Sequence, residues 1–228
     1  MTPVIAAVNV GGLAALGPRG AASGIHKRPV AGAVRVGRDG LSGDAQGDRR
    51  HHGGPEKAVH HYARDHYSSW CAELGDVPAL AAAAPFGENI SAAGLTEADV
   101  AVGDVFRVGT ALLQVSQGRQ PCWRLNARFD VVDMARRVQN SGRTGWYYRV
   151  IEEGEIQAGD QLDLIDRVSP DWTVARLWRA LYIDLLDADE LHGMAALTSL
   201  AEVWRAHAVR RLATGMVEDW ARRLEGDA

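Results

Sequence analysis

Over the first two thirds of the chain the hydrophobic residues fall in short runs: VIAAVNV (4–10), AVRVG (33–37), KAVHHY (57–62), VFRVG (105–109), ALLQVSQ (111–117), WYYRVI (146–151) and QLDLI (161–165). Clusters of Gly, Asp, Pro and Asn separate them, so they predict short strands joined by turns, as in a barrel or sandwich. Two stretches break the pattern with helical spacing. One runs from Ala63 to about Gly75; the other runs from Val131 to about Asn140, where Val132, Ala135, Arg136 and Gln139 share a helical period. After Val168 the turn sequence SPDW introduces a 3.6-residue period. Val174, Leu177, Trp178 and Leu181 mark one amphipathic helix, and Leu200, Val203 and Trp204 a second, opened by a capping box of Ser199 and Glu202. Val217, Trp220 and Leu224 mark a third. The chain therefore divides into residues 1–168 and a small three-helix unit over 169–228. Aromatic residues at that spacing are read as core, and apolar stripes too wide for three short helices point to docking on the first unit or to a homodimer.

Composition narrows the picture. The 228 residues carry a formal charge of -4 from mixed signs, so no global basic field favours nucleic acid. The basic face of Arg205, Arg210, Arg211, Arg222 and Arg223 is read as solvated. No run reaches the roughly 18–20 apolar residues of a membrane span, and MTPVIAAVNV lacks the basic start of a signal peptide, so no membrane partner and a cytoplasmic location are expected. Two cysteines are too few for a disulfide framework. Cys71, among residues of helical period, is read as a packed, inert thiol.

Three segments carry candidate chemistry. GDRRHHGGPEKAVHHY (47–62) surrounds a Gly-Gly-Pro turn with Arg49, Arg50, His51, His52 and Lys57, a combination that suits an anion or, equally, a solvated hairpin. Five histidines between His51 and His66 raise zinc, but neighbours His60 and His61 point to opposite faces of a strand and no HExxH or CxxC completes a ligand set. PFGENI (85–90) is a turn ending in Glu88 and Asn89. In QVSQGRQPCWRLN (114–126) a strand gives way to Arg119, Pro121, Cys122 and Arg124, and two cations beside a thiol favour the thiolate that attacks electrophiles and binds soft metals. Trp123 follows directly and is read as core, not as a wall of the site.

In order along the chain, SGIHKRPV, GLSGDAQGD, RHHGGPEKAVHHY, PFGENI, QVSQGRQPCWRLN and GWYYRV with GEIQAGD resemble the MOSC domain family, and the helical tail resembles the extension of its YiiM-like subgroup. The resemblance implies a mixed α/β, β-rich fold, with a MOSC-type β-barrel followed by a three-helix C-terminal unit. It also implies the molybdenum cofactor (molybdopterin), with Cys122 as the protein ligand to molybdenum and the catalytic residue. Lys27, Arg50, His52, Arg119 and Arg124 fall at motif positions suited to the pterin phosphate or the pocket, with Asn89 and His61 as weaker candidates. The implied activity is reduction of N-hydroxylated substrates such as 6-N-hydroxylaminopurine to the amine, with electrons from a separate flavin or iron-sulfur reductase. The alternative is a non-redox molybdenum-cofactor or sulfur carrier using a Cys122 persulfide; a third reading gives the helical unit a docking or regulatory role.

Overall fold

A computed structural model of the chain describes residues 2–18, 20–47 and 53–226. All seven apolar runs form strands. In chain order the strands are β1 (Ile5–Val10), β2 (Ala14–Leu16), β3 (Ala21–Ser23), β4 (Arg28–Pro29), β5 (Val34–Gly37), β6 (Gly40–Leu41), β7 (Val59–Ala63), β8 (Ile90–Ala92), β9 (Val105–Val108), β10 (Ala111–Gly118), β11 (Trp146–Glu152), β12 (Gly154–Ile156) and β13 (Leu162–Asp166). Eight of them make one sheet in the order β13-β9-β10-β11-β7-β8-β1-β4. Every pair in it is antiparallel except β7 with β8. The sheet curls until its two sides meet: Val4 bridges Gln161, and Leu162 N–H donates to Pro3 O at 2.9 Å. Closure of this kind removes the open edge that would otherwise template pairing with another chain. Inside lie Ile5, Val8, Val59, Ile90, Phe106, Leu113, Val115, Trp146 and Tyr148, all essentially sealed from solvent.

The helices are α1 (Tyr67–Leu74), α2 (Pro78–Ala81), α3 (Arg124–Phe129), α4 (Met134–Ser141), α5 (Val174–Tyr182), α6 (Ala188–Ala196), α7 (Glu202–Thr214) and α8 (Ala221–Glu225). Helices α1 to α4 cover a second core around Tyr62, Trp70, Phe86, Leu125 and Met134. Trp70 is buried there while its neighbour Cys71 is exposed, so the packed thiol expected at Cys71 is corrected: it sits on the solvent side of α1. Val132 is also exposed and precedes its helix, which begins at Met134 with Ala135 and Gln139 facing inward.

Beyond Val168 the helical unit exists but its members differ from the expected three. Helix α5 forms where the period put it, capped by Thr173, whose side chain accepts from Arg176 N–H. Helix α6 was not read from the pattern, because few apolar residues mark its buried face, yet Asp187 caps it with Asp189 and Glu190 in the first turn. Helix α7 starts at Glu202 with Ala201 at its cap, so the Ser199–Glu202 capping box does not form. Ala201 N–H instead donates to Ser116 O at 2.9 Å, which ties the helix start to β10. Val203 is exposed on α7, whereas Trp204 is buried. The third expected helix shrinks to α8. Before it the chain turns back, because Glu218 accepts from Arg211 Nη2 at 2.7 Å and pairs with Arg210 at 2.5 Å. Arg211 is consequently buried, not part of a solvated face, and also donates to the carbonyls of Leu181 and Leu185. Burial alone would raise the Glu218 carboxyl, but the two guanidiniums outweigh it and hold it well below the usual carboxylate range.

Candidate functional site

Cross-strand register decides which side chains reach the site. Tyr147 pairs with His60 and Trp146 with His61, and directly paired residues share a face of the sheet. His60 and Tyr147 line a cleft, their rings 4.9 Å apart. His61 lies on the opposite face, stacked on Trp146 at 4.3 Å with Nδ1 3.0 Å from the Tyr148 hydroxyl. Burial there lowers the His61 pKa to about 3. His61, expected among the cofactor-binding residues, therefore belongs to the barrel core.

The cleft spans about 660 Å³ including its mouth, and its lining includes Lys27, Asp44, Lys57, His60, Asn89, Arg119, Cys122, Arg124 and Tyr147. Arg50 and His52 lie outside the described residues. One wall is backbone against backbone. A Cβ on Gly24 would fall 1.8 Å from Ala45 O, and one on Gly47 would fall 2.0 Å from Ala22 O, so only glycine lets the two strands of wall touch. Phe86 and Ile25 add apolar surface.

A polar network sets the floor. Lys27, 8% exposed, pairs with Asp44, which also accepts from Gly11 N–H at 2.9 Å. Burial lowers the Lys27 pKa and the Asp44 carboxylate partly restores it. Asn89 lines the cleft, but its amide is already engaged: Oδ1 accepts from His60 N–H at 3.0 Å, and Nδ2 donates to Asn9 O at 3.1 Å and Asp44 Oδ2 at 3.0 Å. Its place is to hold β7, β1 and Asp44 together. Beneath it Glu88 takes hydrogen bonds from Tyr67, Ser91 and the Phe86 N–H, and burial pushes its carboxyl up.

Cys122 lies between Pro121 and the first turn of α3, 7% exposed, with its carbonyl accepting from Leu125 N–H at 2.9 Å. It forms no disulfide. Trp123 is half-buried and carries the Arg124 guanidinium over its ring at 4.9 Å. Two nitrogens of cleft-lining residues, each sealed from solvent, have no hydrogen-bond partner among the described residues: His60 Nε2 and Arg119 Nη1. Burial, and then the Arg119 charge, hold His60 well below its usual range, so the ring is neutral. Leaving such groups unsatisfied costs about 1–3 kcal/mol each; His61 Nε2, Trp146 Nε1 and Trp204 Nε1, away from the cleft, are in the same position, so it is the thiol and the cations of the lining that distinguish this cleft.

A MOSC domain model matches residues 48–163, and a YiiM-like 3-alpha helix domain model matches residues 172–215. Protein YiiM of Escherichia coli is 42% identical over 92% of this chain and 93% of its own length. The chain belongs to the MOSC domain family, in its YiiM-like branch. The crystal structure of that Escherichia coli YiiM superposes with a TM-score of 0.84 at 37% identity, covering 99% of this chain and all of the other. A protein named as a reductase, from Gibberella moniliformis, is 37% identical over 70% of this chain, which spans only 28% of that longer protein.

MOSC domains bind the molybdenum cofactor as a family, and the residues of this MOSC cleft fit such a group. A thiol suits a soft metal, while Lys27, Lys57, Arg119 and Arg124 suit a phosphate. Among the described residues no three His, Cys, Asp or Glu side chains converge as a metal site; His51 and His52, two of the five histidines that raised zinc, lie outside them. No described helix is long and apolar enough to cross a membrane. His60, Asp44 and Tyr147 are site residues that the sequence reading passed over. Strand alternation had separated His60 from His61, but which of them faces the cleft depends on pairing with WYY, which sequence pattern alone does not reveal.

Proposed function

We propose that this MOSC protein is a molybdenum-cofactor-dependent oxidoreductase that reduces N-hydroxylated substrates such as 6-N-hydroxylaminopurine to the amine. The observation that carries the reading is one cleft whose lining holds the Cys122 thiol together with the cations Lys57, Arg119 and Arg124. Membership of a molybdenum-cofactor-binding family and likeness to a protein named as a reductase support it.

Cys122 would hold the molybdenum as thiolate, and Arg119, Arg124, Lys27 and Lys57 would take the phosphate and polar edge of the pterin. When bound, the cofactor supplies the two-electron chemistry; the balanced conversion is R–NHOH plus two electrons and two protons giving R–NH₂ and water. Electrons come from a separate flavin or iron-sulfur reductase. The chain's own share is placement and electrostatics. His60 lines the cleft as a neutral ring that adds no charge, and the Tyr147 hydroxyl stays protonated because burial raises its pKa. Phe86 and Ile25 exclude water along one side and offer a flat base apolar contact.

The test is metal analysis joined to turnover. Protein from a cofactor-competent host is expected to carry about one molybdenum per chain, to lose it in Cys122→Ala, and to consume 6-hydroxylaminopurine with a chemical reductant. A molybdenum-loaded sample that leaves the substrate untouched rejects the substrate class. Cyanide-releasable sulfur on Cys122 without molybdenum would favour the persulfide carrier instead.

A further inference from the structure

We propose that Arg223 is a positioning residue that fixes the loop carrying Cys122, so that the C-terminal segment is part of the candidate site. Arg223 grips the chain on both sides of the cysteine. Its guanidinium Nη1 donates to Pro121 O, and its carbonyl accepts from Trp123 N–H at 2.8 Å. The other arm, Nη2, donates to Gln139 Oε1 at 2.6 Å and anchors the clamp to α4. The next residue continues the grip, with Leu224 O accepting from Asn126 Nδ2 at 2.8 Å, and Gly226 lies against the Trp123 ring. Arg223 lies outside both stretches matched by family models, 48–163 and 172–215, so neither assigns it a role.

The arrangement has a physical consequence for the thiol. Residues 119–123 have no regular secondary structure, and their geometry depends on contacts from elsewhere in the chain. A charged donor shared between one carbonyl before the cysteine and one anchor on α4 leaves the loop a single seating, and the main-chain bond at Trp123 fixes its other side. The helical unit also reaches β10, the strand that leads into this loop, through Ala201 N–H to Ser116 O and Trp204 against Gly118. The importance of this seating for catalysis rests on Cys122 as the metal-holding residue; the seating itself does not.

The clamp is tested by alkylation of Cys122 with iodoacetamide, followed by mass spectrometry, in a Cys71→Ser background that leaves one thiol. Arg223→Ala is expected to speed labelling at least about tenfold, the factor that loss of a charge-assisted hydrogen bond gives a local opening equilibrium. Arg223→Lys, which keeps the charge but cannot serve Pro121 and Gln139 together, should restore part of the protection. Arg136→Ala is the control: it breaks the 2.6 Å pair with Glu225 on α8 without touching the loop, and should label at the parent rate. Unchanged labelling in folded Arg223→Ala, or equal acceleration in Arg136→Ala, overturns the clamp. If Arg223→Ala does not fold, Gln139→Leu decides, with faster labelling supporting the clamp and parental labelling rejecting it. Labelling needs no metal, so failure of Cys122 to hold molybdenum would reject the functional reading while leaving this result standing.

Discussion

Two adjacent histidines in KAVHHY meet opposite fates, and the difference is measurable as proton binding. His61, sealed between Trp146 and Tyr148, is neutral in the fold down to about pH 3, whereas in the unfolded chain it takes a proton near pH 6.5. Between those values the unfolded state binds the extra proton, so stability present above pH 6.5 is lost as pH falls, by up to about 1.4 kcal/mol per unit. His61→Gln is therefore expected to flatten the stability profile by close to one proton between pH 6.5 and 5, read from urea unfolding at several pH values; an unchanged slope would contradict the burial argument. The sequence located the pair but not its parity. Cys122, Lys27, Arg119 and Arg124 were legible because unusual residue types stood in motif order, and all four line the cleft. Asp44 and Tyr147 were not, since an aspartate in a turn and a tyrosine in a strand look ordinary until Lys27 and His60 are placed beside them.

At the level of elements, period-2 runs long enough to alternate were all legible as strands, while β8, three residues long and buried throughout, offered no alternation to read. It forms because β7 supplies parallel partners for Ile90, Ser91 and Ala92. Helix α3 was hidden for a related reason: only Leu125 and Phe129 of its six residues are buried, and they share the segment with the Cys122 loop. Strand β10 ends in Gly118, where an added Cβ would come within 3.2 Å of the Trp204 ring. Gly118→Val is expected to lose about 1–3 kcal/mol through overpacking at this contact. Gly12→Val, with open space at its Cβ position, should stay within about 0.5 kcal/mol of the parent. Equal losses at both positions in denaturant titrations would argue against Trp204 as the cause.

Taken whole, the chain is continuous across its two matched stretches. Val102 N–H donates to Trp172 O at 2.9 Å, Val174 N–H to Val100 O at 2.8 Å, and Val102 packs among Leu177, Leu200 and Trp204. A chain cut after Val168 would uncover that apolar face and release the Cys122 loop, so it is expected to bind a hydrophobic dye and to unfold without a sharp transition; a truncated protein with the full chain's cooperativity would show the barrel self-sufficient. The change of period at Val168 revealed the helical unit, but not that α8 returns to the barrel, because that return depends on Glu218 meeting Arg211 across a turn. The wall where Gly24 meets Ala45 and Gly47 meets Ala22 carries a different consequence. A surface made of main chain has no rotamers to adjust and no side chain to exchange, so a library aimed at new selectivity should be concentrated on the side chains of the lining, Phe86, Arg124 and Tyr147 among them.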